Sequence, residues 1–105
     1  TLPDNTSSAT TINEFPALAS KGIVIKYKIT RGTLDRTGEF IISCSTNAVG
    51  FDDTFTESGA DVGVTLTAAL DNKDSTAGNE TVAFQFTTTS SGTAATIDYQ
   101  TTIIA

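Results

Sequence analysis

From Gly22 to Ile104, apolar side chains recur at every second position, a rhythm that a pleated strand converts into one continuous apolar face. Ile23, Ile25, Tyr27 and Ile29 fall on one side, while Val24, Lys26, Lys28 and Thr30 fall on the other. Phe40, Ile42 and Cys44 oppose Glu39, Ile41, Ser43 and Ser45. Val62, Val64, Leu66 and Ala68 oppose Gly63, Thr65 and Thr67. Val82, Phe84 and Phe86 oppose Thr81, Ala83, Gln85 and Thr87. Ala95, Ile97, Tyr99, Thr101 and Ile103 oppose Thr96, Asp98, Gln100 and Thr102. A shorter strand is expected around Thr54 to Glu57. Thr makes up about a fifth of the chain, and its branched Cβ suits pleated, half-buried positions better than helices.

Turn clusters separate these runs at Arg31–Gly38, Asn47–Asp53, Ser58–Asp61, Asp71–Glu80 and Ser90–Ala94. Each carries Gly, Asp, Asn or Ser, residues that accept positive φ or bond their own backbone. Strands joined by short polar connectors, without helices between them, predict an antiparallel β-sandwich or jelly-roll-like barrel of about six to eight strands. Residues 1–11 are rich in Ser, Thr and Asn and are expected to form a flexible N-terminal tail or linker. Residues 12–105 then form a single domain, because 105 residues leave no room for two. Within it, Ile12 to Ser20 reads either as an extended lead-in or as a turn of helix near Pro16, anchored by Phe15 and Leu18.

Charge narrows the partners. Six Lys and Arg stand against twelve Asp and Glu, a formal net charge of −6. The nearest thing to a basic cluster is Lys26, Lys28 and Arg31, so the positive face that grips a phosphate backbone is not expected. The same balance disfavours anionic membranes, and no stretch approaches the roughly 18 apolar residues of a helical span. Cys44 is the single cysteine and lies in an apolar strand pattern, where a buried, inert thiol is expected.

Histidine is absent, which removes the usual neutral-pH base, the Ser-His and Cys-His nucleophile systems and the commonest zinc ligand. The dense acidic group is Asp52, Asp53, Glu57 and Asp61. Its spacing suits a solvated loop better than a pair of catalytic carboxylates. Asp71, Asn72, Asp74, Asn79 and Glu80 offer hard oxygens but miss the calcium-loop spacing, so they read as a polar turn. The chain is therefore expected to be non-catalytic, with no cofactor and no metal. Tyr27, Phe40, Phe84, Phe86 and Tyr99 belong to apolar strand faces and are expected in the core. Phe51 and Phe55 flank acidic residues instead. Phe51, Asp52, Asp53 and Phe55 are the candidate surface-contact residues, with loop anchoring as the plainer role for the two rings. Arg31 and Arg36 flank a turn, where either solvated charges or pairs with acids on a neighbouring chain or loop are expected.

Four stretches, in order, resemble a recurrent domain of phage virion proteins, the tail-fibre and structural proteins of marine and cyanobacterial phages. Ser8-Ala9-Thr10-Thr11-Ile12-Asn13-Glu14-Phe15 is similar to their A-T-T-I-x-x-F lead-in, followed by a strand such as Ile23 to Thr30. Arg31-Gly32-Thr33 through Arg36-Thr37-Gly38 resembles their R-G-T…R-x-G hairpin. Asp61-Val62-Gly63-Val64-Thr65-Leu66 is the third stretch. Thr87 to Thr96 is similar to the T-T-T-N-x-G-x-x-A-T turn joining their last two strands. The resemblance implies a β-sandwich module that works in the virion through other virion proteins, through copies of itself, or through a host surface receptor or glycan. It implies no catalytic residues. The residues alone leave a second reading open, a carbohydrate-binding or bacterial surface-adhesion module.

Overall fold

A computed structural model describes residues 1–16, 22–44, 48–71 and 81–104, with only the backbone of Pro16 and Asp71 described. Among the described residues, seven strands form: β1 (Thr10–Pro16), β2 (Gly22–Arg31), β3 (Leu34–Cys44), β4 (Val49–Glu57), β5 (Val64–Asp71), β6 (Thr81–Thr88) and β7 (Thr96–Ile104). They form two antiparallel sheets, β1-β6-β5 and β4-β3-β2-β7. The architecture is a β-sandwich, as the alternation predicts.

The alternating faces become the core. Ile23, Ile25, Tyr27 and Ile29 of β2 and Phe40, Ile42 and Cys44 of β3 are buried against Val64, Leu66 and Ala68 of β5 and Val82, Phe84 and Phe86 of β6. Phe40 and Phe84 meet across the interior with ring centroids 5.2 Å apart, and Tyr99 sets its ring edge-on to Phe84 at 5.9 Å. Offset and edge-on rings are the arrangements that the aromatic quadrupole favours. Ala83 is also buried, although the alternation places it on the opposite face of β6.

A three-stranded layer cannot cover a four-stranded one. The central strand β2 buries its inward row from Ile23 to Arg31, and β3 buries Arg36, Phe40, Ile42 and Cys44 with Leu34 and Gly38 half-buried, whereas β4 and β7 at the margins bury no side chain fully. On β7, Ile97 and Tyr99 are half-buried, while Thr101 and Ile103 of the same face are exposed. Burial therefore falls off toward both edges of the wider sheet.

Several boundaries differ from the expectation. The Arg31–Gly38 turn contracts to two residues, because β2 runs to Arg31 and β3 starts at Leu34. Gly32 takes a φ of 63°, the positive value that a two-residue II′ hairpin requires at its first central position. Val49 to Asp53 is strand rather than turn, paired residue for residue with β3 from Cys44 to Phe40. The stretch from Ile12 to Pro16 is extended, not helical, and pairs with β6, with a register shift between Thr11 and Asn13. Phe15 is buried there, as an anchor should be.

Residues 1–11, expected as a flexible tail, are instead laid against the sandwich. Leu2 is buried and exchanges two backbone hydrogen bonds with Ala95, at 2.6 and 2.8 Å. Thr6 N–H donates to Thr88 Oγ1 at 2.8 Å, and that hydroxyl donates to Pro3 O at 2.6 Å. Polar composition suggested a tail, but these side chains and amides complete hydrogen bonds that the sandwich end needs. Leu18, Ser45, Asn47, Asn72, Asp74, Asn79 and Glu80, which the sequence placed in an anchor, a strand and turns, lie outside the described residues.

Phe84→Ala, which empties the centre of the aromatic stack, is expected to cost about 3–5 kcal/mol of unfolding free energy. Ile41→Thr, on the open outer face of β3, should stay within about 0.5 kcal/mol. Urea denaturation followed by tyrosine fluorescence measures both; equal costs would mean that the inward face is assigned wrongly.

Candidate functional site

Two arginines hold one end of the sandwich together, and both are only 4% exposed rather than solvated. Arg31 closes β2, where the alternation directs its side chain inward. Its Nε–H donates to Thr93 O at 2.8 Å, and Nη1 donates to Val62 O at 3.0 Å and Gly63 O at 3.2 Å. Nη2 donates to Thr89 O at 2.6 Å and to Asp4 Oδ1 at 2.5 Å. One guanidinium thus ties three passing segments: the N-terminal stretch, the β4–β5 crossover and the β6–β7 crossover. Gly63, at a φ of 70°, lets the chain pass here, because a Cβ would collide with Thr89 Oγ1 and come within 3.0 Å of Arg31 Nη1.

Asp4 completes this cluster. Its carboxylate accepts from Ser91 N–H at 2.9 Å and Gly92 N–H at 3.0 Å as well as from Arg31. The Ser91 and Gly92 amides, with the Arg31 charge, hold its carboxyl below the usual carboxylate range, against the opposing effect of desolvation.

Arg36 anchors the second cluster, beside β4. Nη1 donates to Val64 O at 2.8 Å, and Nη2 donates to Glu57 Oε2 at 3.2 Å and Asp61 Oδ1 at 3.3 Å. The Asp53 carboxylate lies 3.9 Å from Nη1, and the guanidinium sits 4.0 Å above the centre of the Phe55 ring. Glu57 also accepts from Val62 N–H at 2.9 Å, and Asp61 accepts from Gly63 N–H at 2.8 Å. Tyr27 O–H donates to Asp53 Oδ1 at 2.6 Å. Burial pushes the Asp53 carboxyl up, while the Tyr27 bond and the Arg36 charge pull it down, and the net direction is upward. Burial, reinforced by Asp53, drives the Tyr27 hydroxyl far above its ordinary value, so it acts as a fixed donor.

Of the acidic group read as a solvated loop, Asp53, Glu57 and Asp61 therefore converge on Arg36, whereas Asp52 does not. The cation these three carboxylates need is supplied by the chain itself. Among the described residues, no group of three or more metal-ligating side chains could hold an ion.

The candidate contact residues divide in the same way. Phe51, Asp53 and Phe55 share the inward face of β4, and Asp52 takes the outward face opposite Ile41. Phe51 rests on Phe40 with centroids 5.3 Å apart and remains 46% exposed; Phe55 lies beneath Arg36 and remains 43% exposed. Phe51 is supported by Phe40 and Phe55 by the Arg36 guanidinium, and both residues remain nearly half exposed. Both sit on a strand rather than in a loop, so their positions are set by the β3–β4 ladder. The result is an acidic edge strand carrying two exposed rings about 13 Å apart, at 3.3 Å per residue.

No match to this chain was found among protein-family models, curated proteins or solved structures.

Arg31→Ala would strand Val62 O, take one of two donors from Thr89 O and from Thr93 O, and leave the Asp4 charge without its cation. It is expected to cost about 3–5 kcal/mol, measured as a shift in urea midpoint at neutral pH. For Asp4 the folded-state value lies below the unfolded one, so its contribution is present above the unfolded value and lost as pH falls through the folded one. Protection of the Ser91 and Gly92 amides, taken relative to their intrinsic exchange rates at each pH, should therefore fall on acidification below the carboxylate range. Asp4→Asn should remove that pH dependence; an unchanged profile would show that Asp4 does not hold the loop.

Proposed function

We propose that this domain is a non-catalytic structural or receptor-contacting module of a bacteriophage particle, and that β4 is its contact edge. The observation that carries this reading is the placement of Phe51 and Phe55. Both rings are supported by a buried neighbour, remain nearly half exposed and are held on a strand at the edge of its sheet. Large exposed apolar groups on a rigid element cost solubility, and they are typical of surfaces that meet a partner. The surrounding Asp52, Asp53 and Glu57 keep the edge soluble while it is free.

The assignment to a virion rests on the ordered likeness of Ser8–Phe15, Arg31–Gly38, Asp61–Leu66 and Thr87–Thr96 to phage tail-fibre and structural domains. The two buried arginine clusters agree with it, since a particle component must keep its shape outside the cell. Its partners are then other virion proteins, copies of itself, or a receptor on the host surface. Repetition in a particle turns weak single contacts into firm attachment.

A carbohydrate-binding or surface-adhesion role is supported by the same two rings, because an open aromatic face beside carboxylates can stack on a sugar. The readings separate experimentally. Peptides of this chain should appear in mass spectra of density-purified phage particles, and their absence there would overturn the virion assignment. Glycan-array binding by the isolated domain that vanishes in Phe51→Ala would establish the carbohydrate reading instead.

A further inference from the structure

Among the described residues, five large apolar side chains are exposed, and four of them lie on the two free edges of one sheet. Phe51 and Phe55 are on β4; Ile103, 45% exposed, and Ile104, 54% exposed, are on β7. The fifth, Ile41, sits on β3. Neither edge of the narrower sheet carries such a group, and β1 is interrupted by its register shift and ends at Pro16, both devices that discourage pairing. β7 has no proline and no bulge, and it runs nine residues in unbroken register with β2.

The two edges fit each other. β4 is also nine residues long. Successive strands in the order β4-β3-β2-β7 are antiparallel, so β4 of a second copy in the same orientation meets β7 antiparallel, continuing the alternation. The inward rows of the sheet run Phe51–Ile42–Ile23–Ile103, Asp53–Phe40–Ile25–Thr101 and Phe55–Gly38–Tyr27–Tyr99. Extending those rows without a shift sets Ile103 against Phe51, Thr101 against Asp53 and Tyr99 against Phe55 of the next copy. On the outward face, Asp52 meets Thr102 and Thr56 meets Asp98, so no acid opposes an acid.

Ring cover and one exposed acid favour this pairing over the symmetric ones. Arg36 already engages Asp53 and Glu57, so the charge that β4 brings to a β4–β4 pair is that of Asp52, which has no cation on either strand to offset it. Behind β7, β2 presents Lys26 and Lys28 on the outward face, two strand spacings or about 10 Å from an incoming β4, where Glu39 and Asp98 stand beside them in the ladder and its Asp52 falls on the Val24 row. Pairing β7 with β7 would leave both rings uncovered.

We propose that the β4 edge of one copy accepts the β7 edge of a second copy of this chain, extending the four-stranded sheet head to tail. The proposal rests on the reading of β4 as a contact edge, not on the virion assignment. The assembly always keeps one free edge of each kind, so growth continues until a ring closes or a filament forms.

Light scattering after size exclusion should show the wild-type mass rising with concentration in steps of 10.9 kDa. Phe51→Asp and Ile103→Asp should each run as monomers, whereas an equal mixture of the two should give dimers, because one intact edge of each kind remains. Wild-type protein that stays monomeric, or Phe51→Asp that still dimerises alone, would overturn the pairing. If Phe51→Asp does not fold, amide exchange of the wild type decides the matter. Protection should rise with concentration in both β4 and β7, and a rise in only one of them refutes the head-to-tail arrangement. A monomeric wild type that nonetheless binds glycans through Phe51 would sink this pairing while leaving β4 a contact edge.

Discussion

A sandwich of three strands over four has a covered centre and two bare margins, and that inequality governs most of the molecule. Under β1, β6 and β5, the inward row of β2 and most of that of β3 are shielded, and the Phe40–Phe84 contact forms there. Beyond that shield, the inward-facing side chains of β4 and β7 are covered only in part. Alternation makes those positions apolar, while layer width leaves them wet. The candidate site is thus a consequence of architecture, not of an unusual local motif.

The ends of the sandwich pose a different problem. Chain segments that cross from one sheet to the other leave the ladders and must satisfy their carbonyls elsewhere. Arg31 and Arg36 do this with side chains: one takes Val62, Gly63, Thr89 and Thr93 carbonyls, the other takes Val64. Arginine suits the task because its planar fork offers five donors and stays charged when buried. The carboxylates of Asp4, Glu57 and Asp61 then balance the buried charge, and Glu57 and Asp61 use their remaining capacity on Val62 and Gly63 amides. Such a network is expensive to break, since removing one member leaves a desolvated charge behind. It also couples the β4 edge to the sandwich end, because Arg36 and Phe55 are in contact.

Much of this was legible in the chain. Ile23, Ile25, Tyr27 and Ile29 announce an inward face through spacing alone, and they are buried as that spacing demands. Phe51 and Phe55 could be singled out because aromatic residues beside acids fit poorly in a core. Arg31 and Arg36 were not legible as buried groups. The available signal was parity: each falls on the inward register of its strand, Arg31 two residues after Ile29 and Arg36 opposite it. Read strictly, the alternation would have placed both charges inside, but a charged residue beside a turn is more often solvated. Leu2 carried no periodic signal at all, and its burial depends on the Ala95 backbone far along the chain.

By itself, then, the order of residues determined that the chain forms antiparallel strands and which side chains face inward, because a two-residue period is a local property of an extended backbone. Tertiary structure alone decided which inward positions would be covered, which carbonyls would need an arginine, and that Asp53, Glu57 and Asp61 would converge on Arg36. Those outcomes depend on which strands become neighbours and how many lie in each layer. Such pairings join residues dozens of positions apart, at distances over which a local pattern carries no information.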